Sequence, residues 1–409
     1  MRIGLFTDTY PPYINGVSTS VLMLKKALEK KGHQVFVVTV NNEGMEYKFE
    51  NDETIIRIPG IPIGIYDYRL TSIYPIKAVN TIRKWNLDVI HSHTEFGIGT
   101  FARFMSKQFN IPLVHTYHTM YEDYIHYITK GYFDSSSKKI VEYLTLFYCD
   151  KTANELIVPT KKTYDLFKEK YEVNKNIHII PTGIEIDRFY IENVDKQKVK
   201  GLKQKYQILK NEFSIVFVGR LAKEKNIEFL IENHKELVKY NQDAKLLIIG
   251  DGPDMEEYRK LVHKLKLEEN IILVGRVPYD EMPNYYHLAD VFVTASQTET
   301  QGLTVIEAMA AGITPVCIKD ESFENVVIDG LNGRLFKNKN EYIKIMKELM
   351  EHPDVLSTLA NQARVNAEAY SSKYYAERVL DVYSITQGKR KGFFKSMFDS
   401  IIGKGEDDE

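Results

Sequence analysis

Ser214-Ile-Val-Phe-Val-Gly-Arg-Leu-Ala-Lys-Glu-Lys-Asn226 is a short β-branched run that ends on glycine and then delivers cations, among them Arg220 and Lys225. A strand buried on both faces of a parallel sheet reads as such a continuous apolar run. Its place in the chain makes it decisive. Upstream, Arg2 to Thr7, Gln34 to Val40, Asp88 to His91, Pro112 to Thr116 and Glu155 to Val158 form one series of such runs. A lysine-rich, weakly hydrophobic segment from Asp195 to Lys210 interrupts the series. It restarts with Ser214 to Val218 and continues through Lys245 to Ile249, Ile271 to Val274, Asp290 to Thr294 and Thr314 to Ile318. A restart of this kind marks a second α/β domain.

Helical stretches lie between the runs, among them Ser18 to Lys31, Ile227 to Tyr240, Met255 to Leu267 and Leu303 to Ala311. Strands alternating with helices imply right-handed βαβ crossovers and doubly wound sheets, which bind ligands beyond the carboxyl ends of their strands. The expected architecture is therefore α/β: two Rossmann-like, doubly wound domains facing across a cleft. The domains are expected at 1–195 and 196–372, with a closing helix at 373–388 that crosses back to the first domain and a basic amphipathic tail at 389–409.

Bulk properties bound the function. A chain of 409 residues exceeds the roughly 100 to 200 residues of one ordinary domain. Hydrophobic residues at 44% and charged residues at 27% are ordinary for a globular protein. A net charge of -2 argues against a dedicated nucleic-acid binder. The two cysteines, Cys149 and Cys317, have no zinc spacing and fit a reduced, cytoplasmic location. The first residues read as a strand, not as a secretory leader. No window approaches the roughly 20 apolar residues of a membrane span, so membrane contact is expected to be peripheral. Many of the 27 tyrosines fall between Tyr117 and Tyr148, where rings with a polar tip suit an amphipathic acceptor.

The chemistry concentrates in Glu299-Thr-Gln-Gly-Leu-Thr-Val-Ile-Glu307. Glu307 interrupts an otherwise apolar helix, and an ionised acid is costly to bury without partners, which ligand hydroxyls can supply. Gly302, Leu303 and Thr304 open that helix, and their N–H groups form a natural diphosphate cradle. On spacing alone, a structural salt bridge at Glu307 and a solvated acid at Glu299 serve equally well. Arg220 and Lys225, just past a strand's carboxyl end, weight the reading toward neutralising a departing diphosphate. There is no Asp-x-Asp to hold a metal against a diphosphate, and no GxGxxG after the first strand. His91 and His93 have the i, i+2 spacing of a metal pair, but with no third ligand evident they read as strand-end residues lining the cleft.

Together, Gly219-Arg220, Lys225-Asn226, Gly250-Asp-Gly-Pro253 and Glu299 to Glu307 resemble the bacterial retaining glycosyltransferases of family four, which have the GT-B fold. The resemblance covers nearly the whole chain. Phe6-Thr-Asp-Thr-Tyr-Pro-Pro12, Gly16-Val-Ser-Thr-Ser20, His115-Thr-Tyr-His-Thr-Met-Tyr-Glu-Asp-Tyr124 and Pro181-Thr-Gly-Ile-Glu185 are similar to the diacylglycerol glucosyltransferases of low-GC Gram-positive bacteria. The resemblance implies that Arg220 and Lys225 hold the diphosphate, Glu307 the ribose hydroxyls and Glu299 the hydroxyls of the donor sugar. Leu303 and Thr304 complete the donor site. Gly16 lets the first domain approach the phosphate, although many relatives have two glycines where this chain has Asn15-Gly16. His118 matches the family's histidine near the transferred sugar; a lone histidine after a strand is otherwise ordinarily structural.

The implied reaction moves glucose from UDP-glucose to diacylglycerol with retention, through an ion-pair route on one face and without metal or cofactor. The same reaction on a glycosyl-diacylglycerol, phosphatidylinositol or polysaccharide acceptor, and a catalytically silent membrane scaffold, are the competing readings. In the tail, Phe394, Met397, Phe398 and Ile401 share one helical face beside Lys389, Arg390, Lys391, Lys395 and Lys404. Such a face is expected to seek an anionic membrane surface, on the cytoplasmic side of the cell membrane, or to dock on the protein's own core.

Overall fold

A computed structural model describes residues 1–13, 15–62, 69–72, 74–95, 97–118, 143, 145–209, 212–296, 299 and 301–402, with the side chain of residue 70 and those from 389 onward left out. The chain divides into two compact units, Met1–Gly183 with Ser372–Glu409, and Ile184–Ser371.

The first unit is built on β1 (Arg2–Phe6), β2 (Gln34–Asn41), β4 (Ile55–Pro62), β6 (Val89–Ser92), β7 (Leu113–Thr116), β8 (Glu155–Val158) and β9 (Ile177–Ile179), with β3 (Lys48–Glu50) and β5 (Arg69–Thr71) paired antiparallel to β4. The main order is β3-β4-β2-β1-β6-β7-β8-β9. Alternate residues feed opposite faces. Ile3, Leu5, Val35, Val37 and Val89 join one core cluster, while Phe6, Phe36, Val38 and Ile90 join the other. Helix α1 (Gly16–Lys30) covers the first face with Val21, Leu24 and Leu28. Helix α2 (Ile76–Trp85) and helix α3 (Gly97–Phe109) cover the second.

The second unit holds β10 (Ser214–Val218), β11 (Lys245–Ile249), β12 (Ile271–Gly275), β13 (Val291–Thr294), β14 (Thr314–Ile318) and β15 (Arg334–Phe336) in the order β12-β11-β10-β13-β14-β15, all parallel. Helices α4 (Ile227–Tyr240), α5 (Met255–Leu265), α6 (Leu303–Ala310), α7 (Lys339–Glu351) and α8 (Pro353–Ala367) flank it. The winding reverses between β10 and β13, and in the first unit between β1 and β6. Such switch points open a crevice at the strands' carboxyl ends.

Three expectations need correction. Ile184 to Asp195 belong to the second unit, because Ile184, Ile186 and Phe189 pack into its core with Tyr286 and Phe292. The last helix, α9 (Ser372–Ile402), runs unbroken through residue 389, so the backbone does not separate a closing helix from a tail. Its Tyr375, Ala376, Val379, Val382 and Tyr383 pack against α1 and the first sheet. The side chains of Phe394, Met397, Phe398 and Ile401, and all of 403–409, lie outside the described residues. Finally, His91 lines no opening. It is fully buried between the Tyr383 hydroxyl at Nδ1 and the Thr116 hydroxyl at Nε2, each at 2.7 Å.

Tyr383→Phe is expected to lower stability by about 1–3 kcal/mol, because a buried imidazole nitrogen loses its partner. Urea unfolding measures this, and an unchanged midpoint would show that the bond to His91 contributes nothing.

Candidate functional site

In the second unit the site begins with two backbone loops pressed together. The Gly219 N–H donates to the Ile249 carbonyl and the Leu221 N–H to the Asp251 carbonyl, both at 3.0 Å, while the Asp254 N–H donates back to the Leu221 carbonyl at 3.1 Å. A Cβ on Gly250, whose φ is +141°, would sit 1.8 Å from the Gly219 carbonyl oxygen. No side chain fits there, so the Gly-Asp-Gly-Pro loop fixes the path of the chain that carries Arg220. Arg220 lies 3.5 Å from Glu224 through Nη2.

Lys225 ends a short 3₁₀ turn, Lys223–Lys225, and its ammonium pairs with the Glu299 carboxylate. Burial alone would raise the pKa of Glu299; the charge of Lys225, with hydrogen bonds from Lys225 and Ser296, holds it below the ordinary value. Glu299 thus stays ionised. Just beyond, Gly302 caps α6 in the left-handed conformation at φ +73°, where a Cβ would meet Phe323 at 2.7 Å. Gly302 supplies no side-chain cap to the α6 amino end, so Leu303 and Thr304 present first-turn N–H groups without an intrahelical acceptor.

Glu307, one turn further on and only 5% exposed, differs from Glu299. Burial pushes its pKa up to about 7, against a 2.7 Å hydrogen bond donated by the Tyr286 hydroxyl and the nearby charge of Arg188. Its proton is held more tightly in the folded chain than at the ordinary value of 4.5. The unliganded fold therefore loses stability from this group as pH rises from about 4.5 through about 7. Beside it the Tyr279 hydroxyl is buried with no hydrogen-bond partner among the described residues, and the Arg188 guanidinium lies over the Tyr279 ring at 4.9 Å. The sequence reading missed Tyr279, Tyr286 and Arg188. The only signal was the tyrosine-rich run Tyr279 to Tyr286, which no spacing ties to Glu307.

In the first unit, the polar groups gather at the carboxyl ends of β1, β6 and β7. The Asp8 carboxylate accepts from the Ile98 N–H at 2.9 Å, and burial raises its pKa. His118, just past β7, contacts His93, just past β6, through Nε2 to Nδ1 at 3.0 Å, with the two rings stacked at 24°. Burial lowers the pKa of His118 to about 4 and that of His93 well below its usual range, so both are neutral imidazoles near pH 7. Gly16 is the exposed first residue of α1, capped by the Asn15 side chain, which accepts from the Ser18 N–H at 2.8 Å. The sequence run that follows His118, from Thr119 to Tyr124, lies outside the described residues.

Glu95, His115 and Cys149 bring one ligand-type atom each within 4.8 Å, all buried. Arg103 holds this region together, donating to the Gly99 and Tyr148 carbonyls at 2.7 Å. Its charge acts on both His115 and Cys149. The cluster therefore already has a cation at its side.

Residues 199–367 match the family model described as Glycosyl transferases group 1, and residues 14–188 that of Glycosyltransferase Family 4. The chain is 38% identical to an alpha-monoglucosyldiacylglycerol synthase of Acholeplasma laidlawii, over 94% of this chain and 96% of the relative. It is 33% identical to one of Streptococcus pneumoniae, over 94% and 85% respectively. Among solved structures it is similar to the Anabaena HepE protein in complex with UDP, with a TM-score of 0.72 over 94% of this chain and 100% of the other, at 17% identity. At that identity the likeness shows the fold alone.

Two glycine substitutions separate packing from propensity. Gly250→Ala must strain both φ and the carbonyl contact, and is expected to destabilise by roughly 3 kcal/mol or more. Gly201→Ala, with open space around it in the Lys196–Lys205 helix, should stabilise by about 0.5–1 kcal/mol. Denaturant titration of both variants checks the pair; equal midpoints would refute the role given to the Gly219–Gly250 contact.

Proposed function

We propose, from the premise that this chain belongs to the GT-B glycosyltransferases of family four, that it moves glucose from UDP-glucose to 1,2-diacylglycerol, giving α-monoglucosyldiacylglycerol. Membership makes it a nucleotide-sugar-dependent hexosyltransferase. Donor, acceptor and stereochemistry are the proposal, and the names of the two relatives above are what support glucose and diacylglycerol. The observation that carries the donor assignment is the gathering of Arg220, the Lys225–Glu299 pair, the uncapped start of α6 and Glu307 around the switch point of one sheet.

In this reading the diphosphate is met by Arg220, Lys225 and the N–H groups of Leu303 and Thr304, which stabilise the charge that grows as the glycosidic bond breaks. Lys225 turns to phosphate, and Glu299, kept ionised, is released to accept from sugar hydroxyls. Glu307 takes the ribose hydroxyls. The acceptor hydroxyl attacks from the face the diphosphate leaves, which retains the anomeric configuration without a covalent intermediate. His118 contacts the transferred sugar, and Gly16 leaves room for phosphate. Cations and a helix terminus do the work a metal does elsewhere, so neither metal nor cofactor is required.

An assay of purified protein with radiolabelled UDP-glucose and other nucleotide sugars, and diacylglycerol in mixed micelles, tests the assignment. UDP-glucose and diacylglycerol should give an α-linked product at an undiminished rate in excess chelator. Another preferred donor or acceptor, an inverted product or an absolute need for Mg²⁺ or Mn²⁺ would overturn the corresponding part. Arg220→Ala and Lys225→Ala should each lower turnover by ~10²-fold or more.

Glu307 supplies a pH test. Ribose hydroxyls donate to the ionised carboxylate, so binding lowers its pKa from about 7. UDP binding at pH 7 should then release up to roughly half a proton, and Glu307→Gln should abolish the release. Calorimetry in two buffers of different ionisation enthalpy reads this directly; a buffer-independent enthalpy in the unmodified protein would remove Glu307 from the ribose site.

We place the enzyme peripherally at the cytoplasmic face of the membrane that holds its acceptor. No described helix is long and apolar enough to cross a bilayer. The basic residues of 389–404 and the apolar stripe of Phe394, Met397, Phe398 and Ile401 supply the anionic-lipid anchor, each cation contributing up to ~1 kcal/mol at low salt. Deleting 389–409 should weaken co-sedimentation with anionic liposomes and remove its salt sensitivity; unchanged binding would assign the anchor to another surface.

A further inference from the structure

The His93 ring offers two nitrogens, and only one has a partner. Nδ1 lies 3.0 Å from His118 Nε2. Nε2 is buried with no hydrogen-bond partner among the described residues. A neutral imidazole carries a single N–H, so two arrangements are open to the pair. If His93 carries its proton on Nε2, that N–H is a buried donor with nothing to receive it, and Nδ1 accepts from His118. If the proton is on Nδ1, it is used in the bond to His118, and the orphan at Nε2 is only a lone pair. Buried donors without acceptors are the rarer and costlier of the two.

We propose that His93 is a positioning residue that fixes the tautomer of His118: His93 donates through Nδ1–H, His118 accepts at Nε2, and the His118 proton is thereby confined to Nδ1. The two burial-lowered pKa values exclude a shared extra proton near neutral pH. Packing reinforces the geometry. The His93 ring is held between His118 and His91, whose ring centroid is 4.0 Å away. His91 is in turn pinned at both nitrogens by Tyr383 and Thr116.

The consequence concerns the role of His118, and it rests on the reading of that residue given above. An imidazole whose lone pair is committed to His93 and whose proton is on Nδ1 meets a ligand as a hydrogen-bond donor to oxygen. It does not meet it as a base that removes a hydroxyl proton. His118 therefore orients an acceptor oxygen of the sugar or diphosphate, and the proton of the attacking hydroxyl passes to an oxygen of the departing diphosphate, which gains charge on the same face as the glycosidic bond breaks.

The tautomer is read directly by nitrogen NMR of the full chain labelled with ¹⁵N-histidine, with His118 assigned from the spectrum of His118→Gln. The expected spectrum shows both His93 and His118 protonated on Nδ1; a His118 protonated on Nε2 overturns the proposal, whatever any variant does. Two substitutions test the consequence. His93→Asn keeps an N–H donor near the place of Nδ1 and should keep kcat within about threefold, whereas His93→Asp offers only an acceptor and should lower kcat about 10- to 100-fold with the KM for UDP-glucose little changed. Equal kcat in the Asp and Asn variants would refute the positioning role. If His118→Gln leaves kcat unchanged, the assignment of His118 to the sugar fails, while the spectrum still decides the tautomer.

Discussion

The contact between the Gly219 carbonyl and the bare α-carbon of Gly250 determines where everything else in the second unit can be. Two parallel strands, β10 and β11, end side by side, and their following loops are close enough to exchange backbone hydrogen bonds in both directions. Side chains are excluded from the seam. The chain after β10 must therefore turn immediately, which places Arg220 and, one short turn later, Lys225 at the sheet's switch point. A strand's ordinary exit would have left room for either residue to vary in position; this one does not. The price is confined to glycines, which take the φ that other residues avoid.

Once Lys225 is fixed, the two carboxylates of the site divide. Glu299 and Glu307 are both removed from bulk water, and burial pushes both pKa values up. What differs is the partner. Glu299 has an ammonium, whose charge outweighs desolvation and keeps the acid ionised. Glu307 has a phenol, Tyr286, whose hydrogen bond stabilises the anion only in part, so the proton is retained up to about pH 7. One site thus holds a permanent anion already neutralised by a cation, and a second acid whose charge depends on what binds. Neither property belongs to the glutamate alone. Each follows from the neighbour the fold supplies.

This division also explains what was legible in the sequence. The strands β8, β10, β11 and β14 are legible to the residue because each is largely buried on both faces and carries a short, mostly apolar run. Strand β4 was missed because Pro59, Gly60 and Pro62 interrupt it; it nonetheless pairs in parallel with β2 through Pro59. The unit boundary was placed late because the lysine-rich segment looks like a linker, whereas the packing of Ile184, Ile186 and Phe189 is a tertiary fact. Arg220, Lys225, Glu299 and Glu307 could be found as residue types at strand ends and helix starts. Their pairing could not, since Lys225 is 74 positions from Glu299 and Tyr286 is 21 from Glu307. The same limit applies to His91, which has the spacing of a ligand and the surroundings of a core residue.

The first unit follows a related logic with neutral groups. His91 sits between two hydroxyls, Tyr383 on the last helix and Thr116 on β7, and a hydroxyl can either donate or accept. Either tautomer of His91 is therefore satisfied, and the bond pair fixes the ring's position without fixing its proton. His93, whose ring packs against it at a tilt, has the opposite character: one nitrogen is engaged and the other has no partner among the described residues, so its proton is fixed by the energetic difference between an orphan donor and an orphan lone pair. The ladder from Tyr383 through His91 and His93 to His118 thus converts mechanical support from the carboxyl-terminal helix into chemical definition at the last ring. A hydroxyl facing His93 Nε2 would satisfy either tautomer and erase that definition. The lack of a described hydrogen-bond partner at His93 Nε2 is accordingly part of the site, and an added polar neighbour there would loosen His118 without touching it.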